Sequence, residues 1–186
     1  MNKNPLLALK ELGQHVWLDN LSRTLIEKGT LQRLIKEDGV DGVTSNPSIF
    51  EKAISSSPYY RAHLARLNGS SLNAEARYEW LVIPDIQAAC DALLPTYVAS
   101  GNEAGYVSLE VSPLLAHEAA ATVAAAKRLY QAVGRENLLI KVPATPAGLQ
   151  AFEQLTAAGM RINVTLIFSL AQYLSLIHIS EPTRPY

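Results

Sequence analysis

Apolar residues along the chain fall into short runs that alternate with longer segments of helical pattern. The short runs carry few charges and several aliphatic residues, which is typical of parallel strands because both faces of a parallel sheet are covered. The pattern predicts five such strands, at His15–Asp19, Gly42–Ser45, Gly105–Glu110, Leu138–Val142 and Arg161–Leu166. Alternation of strand and helix indicates a parallel α/β fold.

The segments between these strands predict helices. Three of them cover Leu114–Val133, Ala147–Ala158 and Asp85–Ala99. The first two end at a glycine, a common helix stop, and the third follows Pro84, since proline is common in the first turn of a helix. The longer insert Ile49–Ser100 predicts several helices with a polar turn at Asn68–Asn73.

Two parallel architectures fit this alternation. An open doubly wound sheet usually carries a glycine-rich phosphate loop after a strand. The sequence contains neither a G-x-G-x-x-G nor a Walker-type loop. This absence favours the (β/α)₈ barrel, in which catalytic residues lie at the carboxyl ends of the strands.

Composition limits the class of protein further. With 186 residues the chain is one domain or most of one, and its 48% hydrophobic and 18% charged residues favour a compact fold. With a formal net charge of -1, the chain lacks the basic surface typical of a nucleic-acid binder and the polybasic segment typical of a protein that binds membrane surfaces. The single cysteine, Cys90, and an amino terminus unlike a secretory signal favour a cytoplasmic protein.

Polar residues close or nearly close each apolar run. They are Asp19, Asn46, Glu110, Lys141 and Thr165. Each residue also has a simpler interpretation. Asp19 could cap a helix, Asn46 before Pro47 could begin a turn, and Glu110 could pair with a surface arginine. Lys141 could be solvated, and Thr165 could be an ordinary β-branched strand residue. The carboxyl ends of parallel strands meet at one edge, however, so we expect all five side chains on one face.

The surroundings of Lys141 indicate a chemistry for this face. Its neighbours in sequence are aliphatic, and burial disfavours the charged form of an amine. A neutral amine attacks a carbonyl and forms a Schiff base, the electron sink needed to break a neighbouring carbon–carbon bond. Asp19 is a candidate general base, and Glu110 with Thr165 is a candidate water-positioning pair. No metal or organic cofactor is required, and the four histidines lack paired ligand spacing.

Several stretches resemble the transaldolase family. Asp41–Phe50 (DGVTSNPSIF) resembles its first signature, and Leu139–Leu149 (LIKVPATPAGL) resembles its second, which holds the Schiff-base lysine. Asn163–Ser169 (NVTLIFS) resembles the strand that follows. Val16–Arg23 (VWLDNLSR) and Tyr106–Ser112 (YVSLEVS) resemble strands of one subgroup, some members of which are fused to a glucose-6-phosphate isomerase domain.

The resemblance implies a (β/α)₈ barrel that transfers a dihydroxyacetone unit from sedoheptulose 7-phosphate to glyceraldehyde 3-phosphate in the pentose phosphate pathway. Its sugar-phosphate substrates would need no cofactor. The implied roles are Schiff-base formation by Lys141, acid–base catalysis by Asp19, water activation by Glu110 with Thr165, and binding of the dihydroxyacetone unit by Ser45 and Asn46.

Two alternatives stay open beside transfer. One is a Schiff-base aldolase that cleaves fructose 6-phosphate, although its small relatives lack the insert Ile49–Ser100. The other is a non-catalytic product that binds sugar phosphate or a partner subunit. The oligomeric state does not follow from the sequence.

The chain departs from the family in length. A complete barrel has eight strands and typically about 250 residues, and the later family motif, Ser-Pro-Phe followed by an arginine, is absent together with the basic residues that would hold phosphate. We therefore expect residues 1–173 to be an incomplete barrel truncated after five strands. Residues 174–186 (LSLIHISEPTRPY) resemble a translated sequencing adapter, and we expect them to be non-native. Unpaired strand edges predict poor folding and little activity.

Overall fold

A computed structural model describes residues 4–180. The strands are β1 (Val16–Leu18), β2 (Val40–Thr44), β3 (Tyr106–Glu110), β4 (Leu138–Pro143) and β5 (Ile162–Thr165). The α-helices are α1 (Pro5–Leu9), α2 (Arg23–Glu27), α3 (Thr30–Asp38), α4 (Pro47–Ser56), α5 (Arg61–Leu67), α6 (Ala74–Ala99), α7 (Ala119–Val133), α8 (Pro146–Ala157) and α9 (Leu170–Ser180). All five predicted strands are confirmed, and no end differs from its prediction by more than two residues.

The strands form one sheet in the order β1-β2-β3-β4-β5, so neighbours in sequence are neighbours in space. The pairings of β1 with β2, β2 with β3 and β4 with β5 are parallel. Parallel neighbours need a crossover connection, and helices supply it after each strand. This is the βα repeat of the (β/α)₈ barrel family, of which the chain carries five strands.

The chain divides into two compact units. One comprises Met1–Leu109 and Val133–Leu138, and the other comprises Glu110–Ala132 and Leu139–Tyr186. β3 and β4 therefore each begin in the first unit and end in the second. Among the described residues, 4–180, there is no helix of the length and hydropathy that a membrane crossing requires.

In the first unit, the packing of β1 on β2 depends on a glycine. Trp17 is in register with Gly42, and a Cβ added at Gly42 would clash with the indole ring. Only glycine leaves room for this close approach. Gly42, within the stretch Asp41–Phe50, thus has a packing role in the sheet.

A buried polar network holds the helices of the first unit together. Arg23 Nε donates to Asp85 Oδ1 at 2.7 Å, and Arg23 Nη2 donates to the Leu81 carbonyl at 2.8 Å. The Tyr60 hydroxyl donates to Asp85 Oδ2 at 2.7 Å and accepts the backbone N–H of Arg23 at 2.9 Å. The Arg23 guanidinium also lies 4.6 Å from the centre of the Tyr60 ring. These bonds tie α2 to α6 and to the short 3₁₀ turn that contains Tyr60.

Two helix boundaries differ from the sequence-based prediction. The helix predicted over Asp85–Ala99 begins eleven positions earlier, at Ala74, where the Asn73 side chain caps it by accepting the Ala76 N–H at 2.8 Å. Pro84 therefore lies inside α6, and the prediction that it marks the first turn of the helix was wrong. A proline costs the helix one hydrogen bond. Burial of the apolar face, including Leu93, maintains the helix across that position.

The helix predicted from Leu114 was also wrong at its start. A 3₁₀ turn occupies Pro113–Leu115, and α7 begins only at Ala119. Pro113 fixes its own φ and cannot donate a backbone hydrogen bond, which favours a short turn at this point. The predicted turn at Asn68–Asn73 and the several helices of the insert are confirmed.

In the second unit, β4 is almost wholly buried and β5 is only half-buried along its length. α8 follows β4 and is capped by Thr145, whose hydroxyl accepts the Gly148 N–H at 2.9 Å. α9 then follows β5 and runs without a break through position 174 to Ser180. Pro182 and Pro185, which predict a helix stop, lie outside the described residues.

Candidate active site

The sequence-predicted site residues fall into two groups, one in each unit. Asp19 follows β1 directly, while Ser45 and Asn46 follow β2. In the second unit, Glu110 ends β3, Thr165 ends β5, and Lys141 lies in the fourth position of β4. Every one of these side chains therefore belongs to the carboxyl-terminal half of its strand or to the residues just after it.

Asp19 is an exposed carboxylate. Its interpretation as a helix cap is wrong, because the hydroxyl of Ser22 caps α2 by accepting the Leu25 N–H at 3.4 Å. Within residues 4–180 the Asp19 side chain has no hydrogen bond or ion pair. A carboxylate in this state is available to take a proton from a substrate hydroxyl.

Asn46 has a local structural role, in line with its alternative interpretation as a residue that begins a turn before Pro47. Its Oδ1 accepts the Ser48 N–H at 2.9 Å and caps α4, whose first residue is Pro47. The side-chain nitrogen donates to no group in the described part of the chain, so one half of the amide is fixed and the other half can meet a ligand. Ser45 is buried, and its backbone N–H donates to the Ser108 carbonyl at 3.0 Å.

Lys141 and Glu110 lie together in the second unit. Lys141 Nζ is 3.2 Å from Glu110 Oε2, and the residue is only 8% exposed. The two strand ends meet because the Val111 N–H donates to the Lys141 carbonyl at 3.1 Å. The alternative interpretation of Glu110, a pair with a surface arginine, is therefore wrong, because its ion-pair partner is Lys141. A carboxylate at this distance can accept a proton from the ammonium group, which leaves the amine able to attack a carbonyl.

Residues of β5 line up beside this pair. Lys141 is in register with Asn163, and Pro143 is in register with Thr165. Side chains alternate between faces along a strand, so Asn163 and Thr165 share the face of Lys141. The Thr165 carbonyl accepts the Ala144 N–H at 2.8 Å, which fixes this end of the strand.

Sequence reasoning missed Asn163. It lies directly across from the candidate nucleophile, and the signal was present in the stretch Asn163–Thr165, where two polar residues alternate with a valine. A strand with one polar face and one apolar face predicts that both polar residues point the same way.

Comparison with known proteins assigns the chain to a family. Residues 16–181 match the sequence model of the family described as Transaldolase/Fructose-6-phosphate aldolase. The chain belongs to this family. Among similar proteins, one named "Transaldolase" from Thiobacillus denitrificans is 56% identical over 164 residues, which is 88% of this chain and 46% of that protein.

Two further relatives agree. "Transaldolase 2" of Nostoc sp. is 48% identical over 174 residues, covering 94% of this chain and 46% of the relative. "Transaldolase" of Neisseria gonorrhoeae is 48% identical over 166 residues, covering 89% of this chain and 47% of the relative. The chain therefore spans about half the length of the curated relatives it matches.

Proposed function

We propose that the chain carries the Schiff-base half of a transaldolase site, which transfers a dihydroxyacetone unit from sedoheptulose 7-phosphate to glyceraldehyde 3-phosphate. The observation that carries the proposal is the contact of 3.2 Å between Lys141 Nζ and Glu110 Oε2 among largely buried groups at strand ends. Relatives that are named transaldolase support transfer over simple cleavage by an aldolase.

The first half of the reaction uses Lys141. Its amine attacks the C2 carbonyl of the ketose phosphate, and water leaves to give an iminium ion. Glu110 takes the ammonium proton before the attack and, with a water held by Thr165, returns a proton to the departing hydroxyl. The contact at 3.2 Å adds a direct proton path to the water-mediated role expected from the sequence.

The second half breaks the C3–C4 bond. Asp19 removes the proton of the C4 hydroxyl, the bond electrons move to the iminium nitrogen, and an aldose phosphate leaves. The remaining enamine attacks the acceptor aldehyde, Asp19 returns the proton, and water releases the product from Lys141. Asn46, through its side-chain nitrogen, and Ser45 hydrogen-bond the hydroxyls of the bound three-carbon unit. The roles of Asp19, Ser45 and Asn46 rest on the family resemblance and on the rule that catalytic groups of a βα barrel lie at the carboxyl ends of its strands.

Borohydride trapping tests the proposal. The chain is incubated with fructose 6-phosphate and sodium borohydride, and the modified peptide is located by mass spectrometry. We expect the label on Lys141, none in Lys141→Arg, which keeps the positive charge beside Glu110, and full labelling in Lys127→Arg, which changes an exposed lysine of α7. Equal labelling of Lys141→Arg would refute the Schiff-base role. Free dihydroxyacetone among the products would instead indicate the aldolase.

We also propose that the 186 residues alone turn over slowly and that residues 174–186 are not native. The support is the number of strands, five where the family barrel has eight, and the missing phosphate-binding residues. Long-read sequencing of the source gene across codons 168–186 tests the tail. A frame that continues past Tyr173 into Ser-Pro-Phe and an arginine supports the proposal, and a frame that ends as given contradicts it.

A further inference from the structure

Three turns lead out of the strands that carry Glu110, Lys141 and Thr165. They connect β3 to α7, β4 to α8 and β5 to α9, and all three lie in the second unit. Turns at the carboxyl ends of the strands surround the reacting groups of a βα barrel. Contacts between these turns therefore help to set the distances among the three candidate catalytic side chains.

Gln172 joins the turn after β5 to the turn after β4. Its Oε1 accepts the Phe168 N–H at 2.9 Å, and its Nε2 donates to the Ala144 carbonyl at 3.0 Å. Phe168 lies three residues after Thr165, and Ala144 lies three residues after Lys141. One half-buried amide thus holds the two turns at a fixed separation.

Thr145 joins the turn after β4 to the turn after β3. Its hydroxyl donates to the Ala116 carbonyl and accepts the Gly148 N–H at 2.9 Å. The connection between β4 and α8 is only two residues long, and a Cβ added at Gly148 would clash with the Pro143 carbonyl oxygen. Because the turn is short and tightly packed, a displacement of Thr145 also moves the end of β4.

The backbone between Thr165 and Phe168 is strained. Leu166 has φ of 62°, in the left-handed region that a bulky side chain rarely adopts, and its exposed side chain does not enforce this conformation by packing. Hydrogen bonds hold the residues on either side. The Thr165 carbonyl accepts the Ala144 N–H at 2.8 Å, and the Phe168 N–H donates to Gln172. Strained backbone persists where the surrounding structure enforces it, and it is common at active sites.

We infer that Gln172 and Thr145 are positioning residues that fix the Lys141 amine against Glu110 for Schiff-base formation. They act through the backbone of the three turns and not by contact with the reacting atoms. The inference rests on the proposed Schiff-base role of Lys141. Nζ and Oε2 are 3.2 Å apart, and a misplacement of about 1 Å can cost roughly 10²-fold in rate.

Gln172→Glu tests the amide. The new carboxylate can still accept the Phe168 N–H, and an acidic residue is favoured in the first turn of α9, but it repels the Ala144 carbonyl. We expect trapping of Lys141 by borohydride at saturating fructose 6-phosphate to slow roughly tenfold, while the half-saturating concentration changes less than about twofold. Gln154→Glu, at an exposed position of α8, is the matched control and should trap at the wild-type rate.

A pair of substitutions tests the hydroxyl of Thr145. Thr145→Val removes both hydrogen bonds at nearly constant shape and should slow trapping roughly tenfold, whereas Thr145→Ser keeps them and should retain the wild-type rate. Urea denaturation gives the folded fraction of each variant, so that rates are compared per folded molecule. A purely structural role would lower the stability of Thr145→Val and leave this corrected rate unchanged, which would contradict the inference. Equal slowing in Thr145→Ser would also contradict it.

Competitive acetylation supplies a readout that needs no substrate. Acetic anhydride labels neutral amines, and mass spectrometry follows Lys141 and the exposed Lys127 over a range of pH. In Gln172→Glu the labelling profile of Lys141 should move to lower pH, because its amine leaves the carboxylate that favours the charged form, and the profile of Lys127 should stay in place. An unchanged Lys141 profile would overturn the positioning role. If the wild-type chain is not trapped by borohydride, the proposed function fails, and the acetylation profile still decides whether Gln172 positions Lys141.

Discussion

Among residues 4–180, the first unit has a buried ion pair between Arg23 and Asp85, the second has a largely buried pair between Lys141 and Glu110, and the two pairs are built differently. In the first unit, Arg23 bonds Asp85 and a backbone carbonyl, and Tyr60 bonds both partners. In the second unit, Lys141 Nζ lies 3.2 Å from Glu110 Oε2 near the ends of two strands. Arginine stays charged in proteins, whereas a buried lysine can lose its proton. The comparison separates a network that fixes helices from an ion pair that lies near strand ends.

Burial acts on the first pair in a way that fits a structural role. It raises the pKa of the Asp85 carboxyl, against the hydrogen bonds from Arg23 and Tyr60, which favour the charged form. Burial likewise raises the pKa of the Tyr60 hydroxyl above its usual range, so the hydroxyl stays a donor at every working pH. The network therefore holds its helices through hydrogen bonds among buried groups.

The largest expected effect comes from removing each carboxylate. Asp85→Ala leaves Arg23 buried and charged without its partner, which should lower the free energy of unfolding by about 3–5 kcal/mol. Glu110→Ala removes one charged contact of Lys141, so we expect a smaller loss of about 1.5–3 kcal/mol. Urea denaturation followed by tryptophan fluorescence measures both. Equal losses would remove the distinction between the two pairs.

The next effect concerns reactivity. Glu110→Gln keeps the shape of the side chain but cannot take the Lys141 proton, and general-base catalysis is typically worth about 10²–10⁴ in rate. We expect borohydride trapping with fructose 6-phosphate to slow roughly 10²-fold. Glu118→Gln, an exposed glutamate of the same unit, is the control and should trap at the wild-type rate. Normal trapping by Glu110→Gln would leave the glutamate with a packing role only.

A third change tests the tyrosine of the first pair. Tyr60→Phe removes a hydroxyl that bonds Asp85 and the Arg23 N–H, and both groups stay buried. Unsatisfied buried groups cost about 1–3 kcal/mol each, so the urea midpoint should fall clearly while trapping at Lys141 is retained. Tyr59→Phe is the matched control, because the neighbouring ring is exposed. A loss of trapping in Tyr60→Phe without a loss of stability would contradict the purely structural role.

Much of the sheet could be predicted from the sequence, and the reasons are local. Short aliphatic runs predicted all five strands, because a covered parallel strand is mostly aliphatic and carries few charges. The start of α6 was missed, because proline is more common in a first turn than in a helix interior, and burial of residues far along the chain overrode that preference at Pro84.

The candidate site was predictable by residue type but not by contact. The sequence places Lys141 and Glu110 near strand ends, yet only the register of β3 on β4 brings Nζ to 3.2 Å from Oε2. In the same way, the position of Asn163 opposite Lys141 depends on the register of β5. The network of Arg23, Tyr60 and Asp85 joins residues 25 to 62 positions apart, and no local pattern predicts such a contact.

The smallest expected effect comes from an exposed pair that contrasts with both buried ones. Arg135 donates to Asp91 through Nε at 2.6 Å and Nη2 at 3.1 Å, and these bonds hold the pKa of Asp91 below its usual range. A carboxyl whose pKa is lower in the folded state stabilises the fold above its unfolded pKa, and this contribution disappears as pH falls through the folded pKa. Water and salt screen a pair this exposed. Asp91→Asn should therefore shift the urea midpoint at pH 7 by less than Tyr60→Phe does, and the shift should disappear as pH falls through the folded pKa of Asp91 and shrink in about 0.5 M salt. A shift that is independent of pH would show that the Asp91 side chain acts through packing. The pair would then have a purely structural role, like that of the network of the first unit.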